Sequence, residues 1–267
     1  MQSQSSSEEK PSLENIKKKI IVLSGKGGVG KTTVSTNLAV GLAFKGLKIG
    51  LLDIDIHGPN VPKMLGLDGL RPSLIEDKLC PVFFENKLKV VSIGFLLPSE
   101  DQPVVWRGPL KHKALKEFVY NTEWGELDCL VIDSPPGTGD EILSIIHILN
   151  KLDGAIIVAT PQKVALSDIR KTITFCKDVN IPILGIIENM SGFVCPKCGT
   201  TWEIFPTGGA EKIAKELKIP FLGKIPIDPQ VSKGSDEGKP IVLNYPDSAP
   251  GKAFKEIIEK IKDKLKL

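Results

Sequence analysis

Nowhere in the 267 residues is there an unbroken apolar run of about 18 residues, the length a helix needs to cross a bilayer. A spanning segment is therefore excluded, and no stable membrane association is expected. The first residues, Met1 to Glu14, are polar and Ser-rich and lack the apolar stretch of a secretory signal. They contain no Arg and carry Glu8, Glu9 and Glu14, a poor match to a mitochondrial transit peptide. Cysteine is scarce: five, an odd number at irregular spacing, which argues against a disulfide framework and for a reducing compartment. A cytoplasmic location is the expectation. Neither charge sign dominates. The net charge is +3 with the basic residues spread along the chain, so no nucleic-acid partner is expected. Histidine is rarer still, and His57, His112 and His147 stand alone. His147, in an apolar stretch, reads as structural.

What is present is an alternation. Short apolar runs occur at Ile20–Leu23, Ile49–Leu52, Val90–Ile93, Cys129–Ile132, Ala155–Ala159, Ile183–Ile187 and Phe221–Ile225. They alternate little between apolar and polar, as parallel strands covered on both faces do. Between them lie helical stretches at Thr32–Phe44, Leu110–Tyr120, Glu141–Leu149, Ser167–Asp178 and Ala210–Leu217. The pattern predicts an α/β fold: a doubly wound, mainly parallel sheet with helices on both faces. Residues 1–17 are expected to form a disordered polar tail and 18–267 a single domain, with Pro59–Val82 a loop region holding one short helix. No internal repeat appears. The last stretch places Phe254, Ile257, Ile258, Ile261 and Leu265 at helical spacing, with lysines balanced by Glu256, Glu259 and Asp263. A terminal helix docked on the sheet is favoured over a membrane-surface helix.

The most informative segment is Gly25-Lys26-Gly27-Gly28-Val29-Gly30-Lys31-Thr32, followed by Thr33. It fits G-x-x-x-x-G-K-[ST] at every fixed position, between a strand-like and a helix-like stretch. Glycines let several N–H groups point at one spot, and the helix N-terminus adds its positive dipole end. Lys31 is expected on the outer phosphates of ATP, with the Thr32 hydroxyl on Mg²⁺. Three acids follow strands: Asp53 and Asp55 after the second, and Asp133 after Cys129–Ile132. Ligands of open α/β sheets bind beyond the carboxyl ends of the strands, so all three should converge on the phosphate loop. Asp133 reads as the Walker-B-type acid supporting Mg²⁺, Asp53 as support around the metal, and Asp55 as the group that orients or deprotonates the attacking water. The plainer role for Asp53 and Asp55 is capping. Asn189, Pro226 and Asp228 follow strands, and positions like these contact the adenine base in related ATPases, though any of these could simply shape a turn. The guanine-reading pattern Asn-Lys-x-Asp is absent.

Cys195 and Cys198 form a C-x-x-C with Pro196 between and Gly199 after it. Two thiolates on one loop suit a metal, yet a tetrahedral zinc or a [4Fe–4S] cluster wants four cysteines. Cys80, Cys129 and Cys176 are far apart in sequence, and Cys129 reads as a buried small apolar residue. Two copies of the chain, meeting on a two-fold axis, would supply four ligands. The residues alone leave iron–sulfur, zinc and a redox dithiol open.

The second lysine of the loop, Lys26, gives an order that resembles the deviant Walker A of the MinD/ParA/nitrogenase-iron-protein class. That resemblance implies a homodimer in which Lys26 reaches the partner's phosphates and joins Lys31 and Asp55 in catalysis. Further motifs are Trp106-Arg107-Gly108-Pro109, Trp124-Gly125-Glu126-Leu127-Asp128, Asp133-Ser134-Pro135-Pro136-Gly137-Thr138-Gly139-Asp140, Thr160-Pro161-Gln162, and Glu188-Asn189-Met190-Ser191 ahead of Cys195 and Cys198. In this order, from about Lys19 to Pro229, they resemble the Mrp/ApbC family of iron–sulfur carrier ATPases. The family implies ATP binding, slow hydrolysis, a homodimer, and a labile [4Fe–4S] cluster held by Cys195 and Cys198 and passed to apo iron–sulfur proteins. The accessory N-terminal domain and N-terminal four-cysteine cluster of some members have no counterpart here, so the expectation is the bare ATPase core. Two other readings share the loop: a MinD/ParA-like positioning or partition ATPase, and an ATP-dependent reductase like the nitrogenase iron protein.

Overall fold

The computed structural model describes residues 13–56, 58–76, 78–96, 115–116, 118–195, 197–205 and 208–267, of 163–166 the backbone alone. Most of the polar tail, His57, His112, Pro196, the Trp106-Arg107-Gly108-Pro109 motif and the start of the helix expected from Leu110 lie outside the described residues. Leu115, Lys116 and Phe118 to Tyr120 of that helix are helical, with Leu115, Phe118 and Val119 buried.

Seven strands run parallel: β1 (Ile16–Leu23), β2 (Ile49–Asp53), β6 (Leu88–Ser92), β7 (Leu127–Asp133), β8 (Gly154–Ala159), β9 (Ile183–Val194) and β11 (Phe221–Ile227). The sheet order is β10-β9-β8-β1-β7-β2-β6-β5, with β11 also on β9. The edge strands β5 (Val82–Phe84) and β10 (Thr201–Trp202) are antiparallel. A separate small hairpin joins β3 (Leu74–Ile75) to β4 (Lys78–Leu79). β2 and β8 are buried at every position, which is why they read as continuous apolar runs.

The helices are α1 (Lys31–Phe44), α2 (Val61–Met64), α3 (Asp140–Leu149), α4 (Lys163–Asp178), α5 (Gly209–Glu216), α6 (Pro229–Asp236), α7 (Ile241–Asn244) and α8 (Ala249–Leu265). One face of the sheet packs on α1 and α8, through Val34, Leu38, Leu42, Phe254, Ile258 and Ile261. The other packs on α3 and the helix ending at Tyr120. Phe254, Ile257, Ile258, Ile261 and Leu265 of α8 are each at most 4% exposed. Each such side chain contributes about 1.5–3 kcal/mol of transfer free energy before entropy, enough to hold the helix on the sheet. This settles the terminal stretch as docked.

Two expectations need correction. The fold starts earlier than residue 18: Leu13 and Ile16 are buried and β1 begins at Ile16. Pro59–Val82 also holds more than one short helix, since β3 and β4 form their hairpin there.

Candidate functional site

The phosphate loop lies at the carboxyl end of β1, between β7 and β8 in the middle of the sheet. Gly28 (φ 75°) and Gly30 (φ 80°) take the left-handed backbone that turns the loop back into α1. The first turn of α1 has neither a side-chain cap nor an acid, so its N–H donors stay available to an anion. The loop is tied down from outside. Asn189 Nδ2 donates to the Val29 carbonyl at 2.8 Å, and the Gly137 N–H donates to the Ser24 carbonyl at 2.9 Å. A Cβ on Gly30 would overlap the Asn189 amide.

The three acids do gather. β2 and β7 lie in a register that sets Asp53 opposite Asp133. Asp133, fully buried, accepts from Lys31 Nζ at 2.7 Å and from the Thr32 and Ser35 hydroxyls at 2.8 Å each. Asp53, also fully buried, accepts from Ser92 Oγ at 2.8 Å and from the Asp55 N–H at 3.1 Å. Burial, and then the neighbouring Asp133 charge, push the Asp53 carboxyl up to about 8. Asp55 is 8% exposed, and its Oδ1 accepts from the Gly58 N–H at 3.3 Å. A hydroxyl and a carboxylate side by side, Thr32 and Asp133, are the hard oxygen donors that suit Mg²⁺. Ser35 and Ser92 were missed in the sequence. Ser35 is one helical turn beyond Thr32, and Ser92 ends β6 level with Asp53, so position relative to the acids was the available signal.

The cysteines sit on a hairpin that extends β9. Thr201 and Trp202 of β10 pair with Val194 and Phe193. The Cys195 N–H donates to the Thr200 carbonyl at 2.9 Å, and the Gly199 N–H donates to the Cys195 carbonyl at 2.8 Å. Gly199 takes φ 72°, which lets the chain turn back just after the C-x-x-C. Cys198 is exposed, and its Sγ lies 3.3 Å from Thr200 Oγ1. The Thr200 hydroxyl first, then the Thr200 backbone and Cys195, lower the Cys198 thiol below its ordinary value. Cys129 and Cys176 are buried, which raises both, Cys176 to about 12. No group of three or more potential metal ligands occurs among the described residues. Among the described residues, the hairpin therefore offers two thiols and no third ligand beside them. Two large apolar side chains beside it, Trp202 and Ile204, are exposed.

A ParA-class family model described as NUBPL iron-transfer P-loop NTPase matches residues 15–262. The chain belongs to this family. It is 50% identical over 253 residues to the iron-sulfur cluster carrier protein of Methanocaldococcus jannaschii, covering 95% of this chain and 87% of that one. It is 48% identical over 249 residues to the protein of the same name in Saccharolobus solfataricus, covering 93% and 84%. Among solved structures, the nucleotide-binding protein of Archaeoglobus fulgidus in complex with ADP has a TM-score of 0.76 at 41% identity, covering 85% of this chain and 89% of that chain. The cell division ATPase MinD of Pyrococcus furiosus has a TM-score of 0.70 at 27% identity, covering 92% and 99%. The doubly wound P-loop NTPase fold expected from the sequence is thus the fold of the family.

The remaining candidate residues of this P-loop NTPase fall in two places. Lys26 Nζ donates to Gln162 Oε1 at 3.2 Å, so within one chain the second loop lysine rests on the segment after β8. Thr33 lies in the first turn of α1, and its carbonyl accepts from Asn37 Nδ2 at 2.9 Å. Asn189 pairs in register with Ile225, next to Pro226, so β9 and β11 bring these two together. Asp228 caps α6, accepting from the Gln230 N–H at 2.8 Å. A separate cavity of about 410 Å³ between Lys48, Phe83, Lys87 and Leu127 opens at the opposite ends of the strands. Lys48 is paired there with Glu126 at 2.8 Å and Lys87 lies over the Phe44 ring, so this cavity has no part in the site.

Proposed function

We propose that this chain is an ATP-driven carrier whose cargo is a [4Fe–4S] cluster, held between two copies and passed to apo iron–sulfur proteins in the cytoplasm. The single observation that carries the reading is one chain bearing both a phosphate loop and a hairpin with only two thiols. A [4Fe–4S] cluster takes four thiolates, so two copies of Cys195 and Cys198 complete the set. The family and the carrier names of the relatives from Methanocaldococcus jannaschii and Saccharolobus solfataricus support it.

In this reading Gly25, Gly27, Gly28, Val29, Gly30, Lys31, Thr32 and Thr33 bind the phosphates, and Asn189, Pro226 and Asp228 border the base. Thr32 and Asp133 would hold Mg²⁺, with Asp53 behind them, and the ion would supply positive charge to offset that of the phosphates. Lys31 exchanges its Asp133 partner for phosphate when nucleotide binds. Asp55 orients the water that attacks the γ-phosphorus and takes its proton as the bond to the β-γ bridging oxygen breaks. Lys26 leaves Gln162 and reaches the partner's phosphates.

Anaerobic reconstitution with iron and sulfide tests the proposal. Wild type is expected to take up about four irons per two chains. Cys195→Ala and Cys198→Ala should lose them while keeping nucleotide affinity, and equal iron in the variants would sink the reading. The MinD likeness favours one rival, a positioning ATPase; ATP-dependent liposome binding or salt-sensitive DNA binding would support it instead.

A further inference from the structure

Among the described residues, β9 is the one strand that touches both halves of the site. Asn189 holds the phosphate loop through the Val29 carbonyl, and six residues later the same strand delivers Cys195. Between them the strand is irregular. Asn189 pairs with Ile225 and Phe193 with Ile227, so four steps on β9 match two on β11. Met190 (φ 57°) and Gly192 (φ 76°) absorb the difference in left-handed conformations. A bulge of this kind kinks its strand, and bulges recur beside active sites. A left-handed non-glycine residue persists only where its surroundings hold it.

The holder is Glu188, a fully buried carboxylate. Its Oε1 accepts from the Ser191 hydroxyl at 2.6 Å and from the Gly208 N–H at 3.0 Å, and its Oε2 accepts from the Ala210 N–H at 2.9 Å. Ser191 lies on the outgoing stem of the cysteine excursion. Gly208 and Ala210 lie where the chain returns into α5. One carboxylate thus ties both ends of the segment that carries Cys195 and Cys198. Adjacent residues of a strand face opposite sides. Glu188 therefore grips the hairpin while its neighbour Asn189 grips the phosphate loop.

We infer that Glu188 and Ser191 are positioning residues that couple nucleotide occupancy to the geometry of the cysteine pair, with the Met190–Gly192 bulge as the part that moves. This rests on the carrier reading above. A change in the loop at Val29 shifts Asn189, the bulge moves with it, and the Ser191–Glu188 bond carries that movement to the hairpin stem.

The test uses reduced, cluster-free full chain and timed iodoacetamide labelling of Cys195 and Cys198, with and without Mg·ADP, read by peptide mass. In wild type the nucleotide should change the labelling rate by about threefold or more, within the range of measured couplings. Ser191→Ala should bind Mg·ADP within about twofold of wild type and lose that change. Ser191→Thr, which keeps the hydroxyl, should retain it. A merely structural role for Ser191 would leave the nucleotide response intact in Ser191→Ala. That result, or an unresponsive wild type, overturns the inference. Iron counted after reconstitution of the same wild-type batch separates the two ideas: normal iron with no nucleotide response refutes the coupling alone, whereas absent iron refutes the carrier reading.

Discussion

Lys31 and Asp133 form the most buried ion pair among the described residues, at 6% and 0% exposure and 2.7 Å. Replacing Lys31 by Met keeps the aliphatic stem and removes the charge. Asp133 is then buried without its cation, beside Asp53. Breaking a buried pair by removing one partner costs about 3–5 kcal/mol. The Thr32 and Ser35 hydroxyls still donate to Asp133, which puts the expected loss near the lower end, about 3 kcal/mol. For a chain of this size each kcal/mol lowers the melting temperature by about 2–4 °C, so Lys31→Met should melt about 6–12 °C below wild type. Asp133→Asn should also destabilise, since it strands a buried ammonium. The double variant Lys31→Met/Asp133→Asn buries no net charge there and should recover to within about 1 kcal/mol of wild type. The assay is reversible thermal unfolding in chelator without nucleotide, run as a complete cycle. All three variants should fail to bind nucleotide, so stability and binding part company in the double variant. A single Lys31→Met variant melting with wild type, or a double variant no better than the singles, would refute the argument.

The other predictions follow from the acids and the thiols. Asp55→Asn should keep ATP affinity within about threefold and slow phosphate release by about 100-fold, the scale of a lost general base; single-turnover release at wild-type rate would move the role to another group. Cys198, whose thiol is held below its ordinary value, should react with iodoacetamide at lower pH than a free cysteine, because its thiolate persists there. Cys129 and Cys176, raised by burial, should stay unlabelled at pH 8 until the chain unfolds. Early labelling of either would contradict their burial, read by peptide mass against time.

The centre of this molecule was legible because central parallel strands are covered on both faces and have to be apolar throughout. β2 and β8 announce themselves for that reason, and the acids at strand ends then fall beside the phosphate loop. The start of β1 was hidden by Lys17, Lys18 and Lys19. Their charges leave the sheet end instead of breaking it: Lys17 pairs with Asp128 at 2.8 Å, and Lys19 Nζ donates to the Leu149 carbonyl at 3.1 Å. α6 carries too few apolar residues and α7 is only four residues long, so neither shows helical periodicity, and α6 is set by its Asp228 cap and by Pro229 in its first turn. In the sequence the apolar run of β9 ends at Ile187, because a charged residue in a strand reads as its end. Glu188 continues the strand because its charge is met by a hydroxyl and two backbone N–H groups, all from residues beyond it in sequence. No local pattern announces such a contact.

In the proposed carrier, two chains share one cluster through Cys195 and Cys198. Native mass spectrometry of anaerobically reconstituted protein weighs it directly. A species of two chains plus one [4Fe–4S] cluster is expected, reverting to single chains without iron in the Cys195→Ala/Cys198→Ala variant. A single chain carrying zinc, or a cluster retained by the double variant, would contradict it.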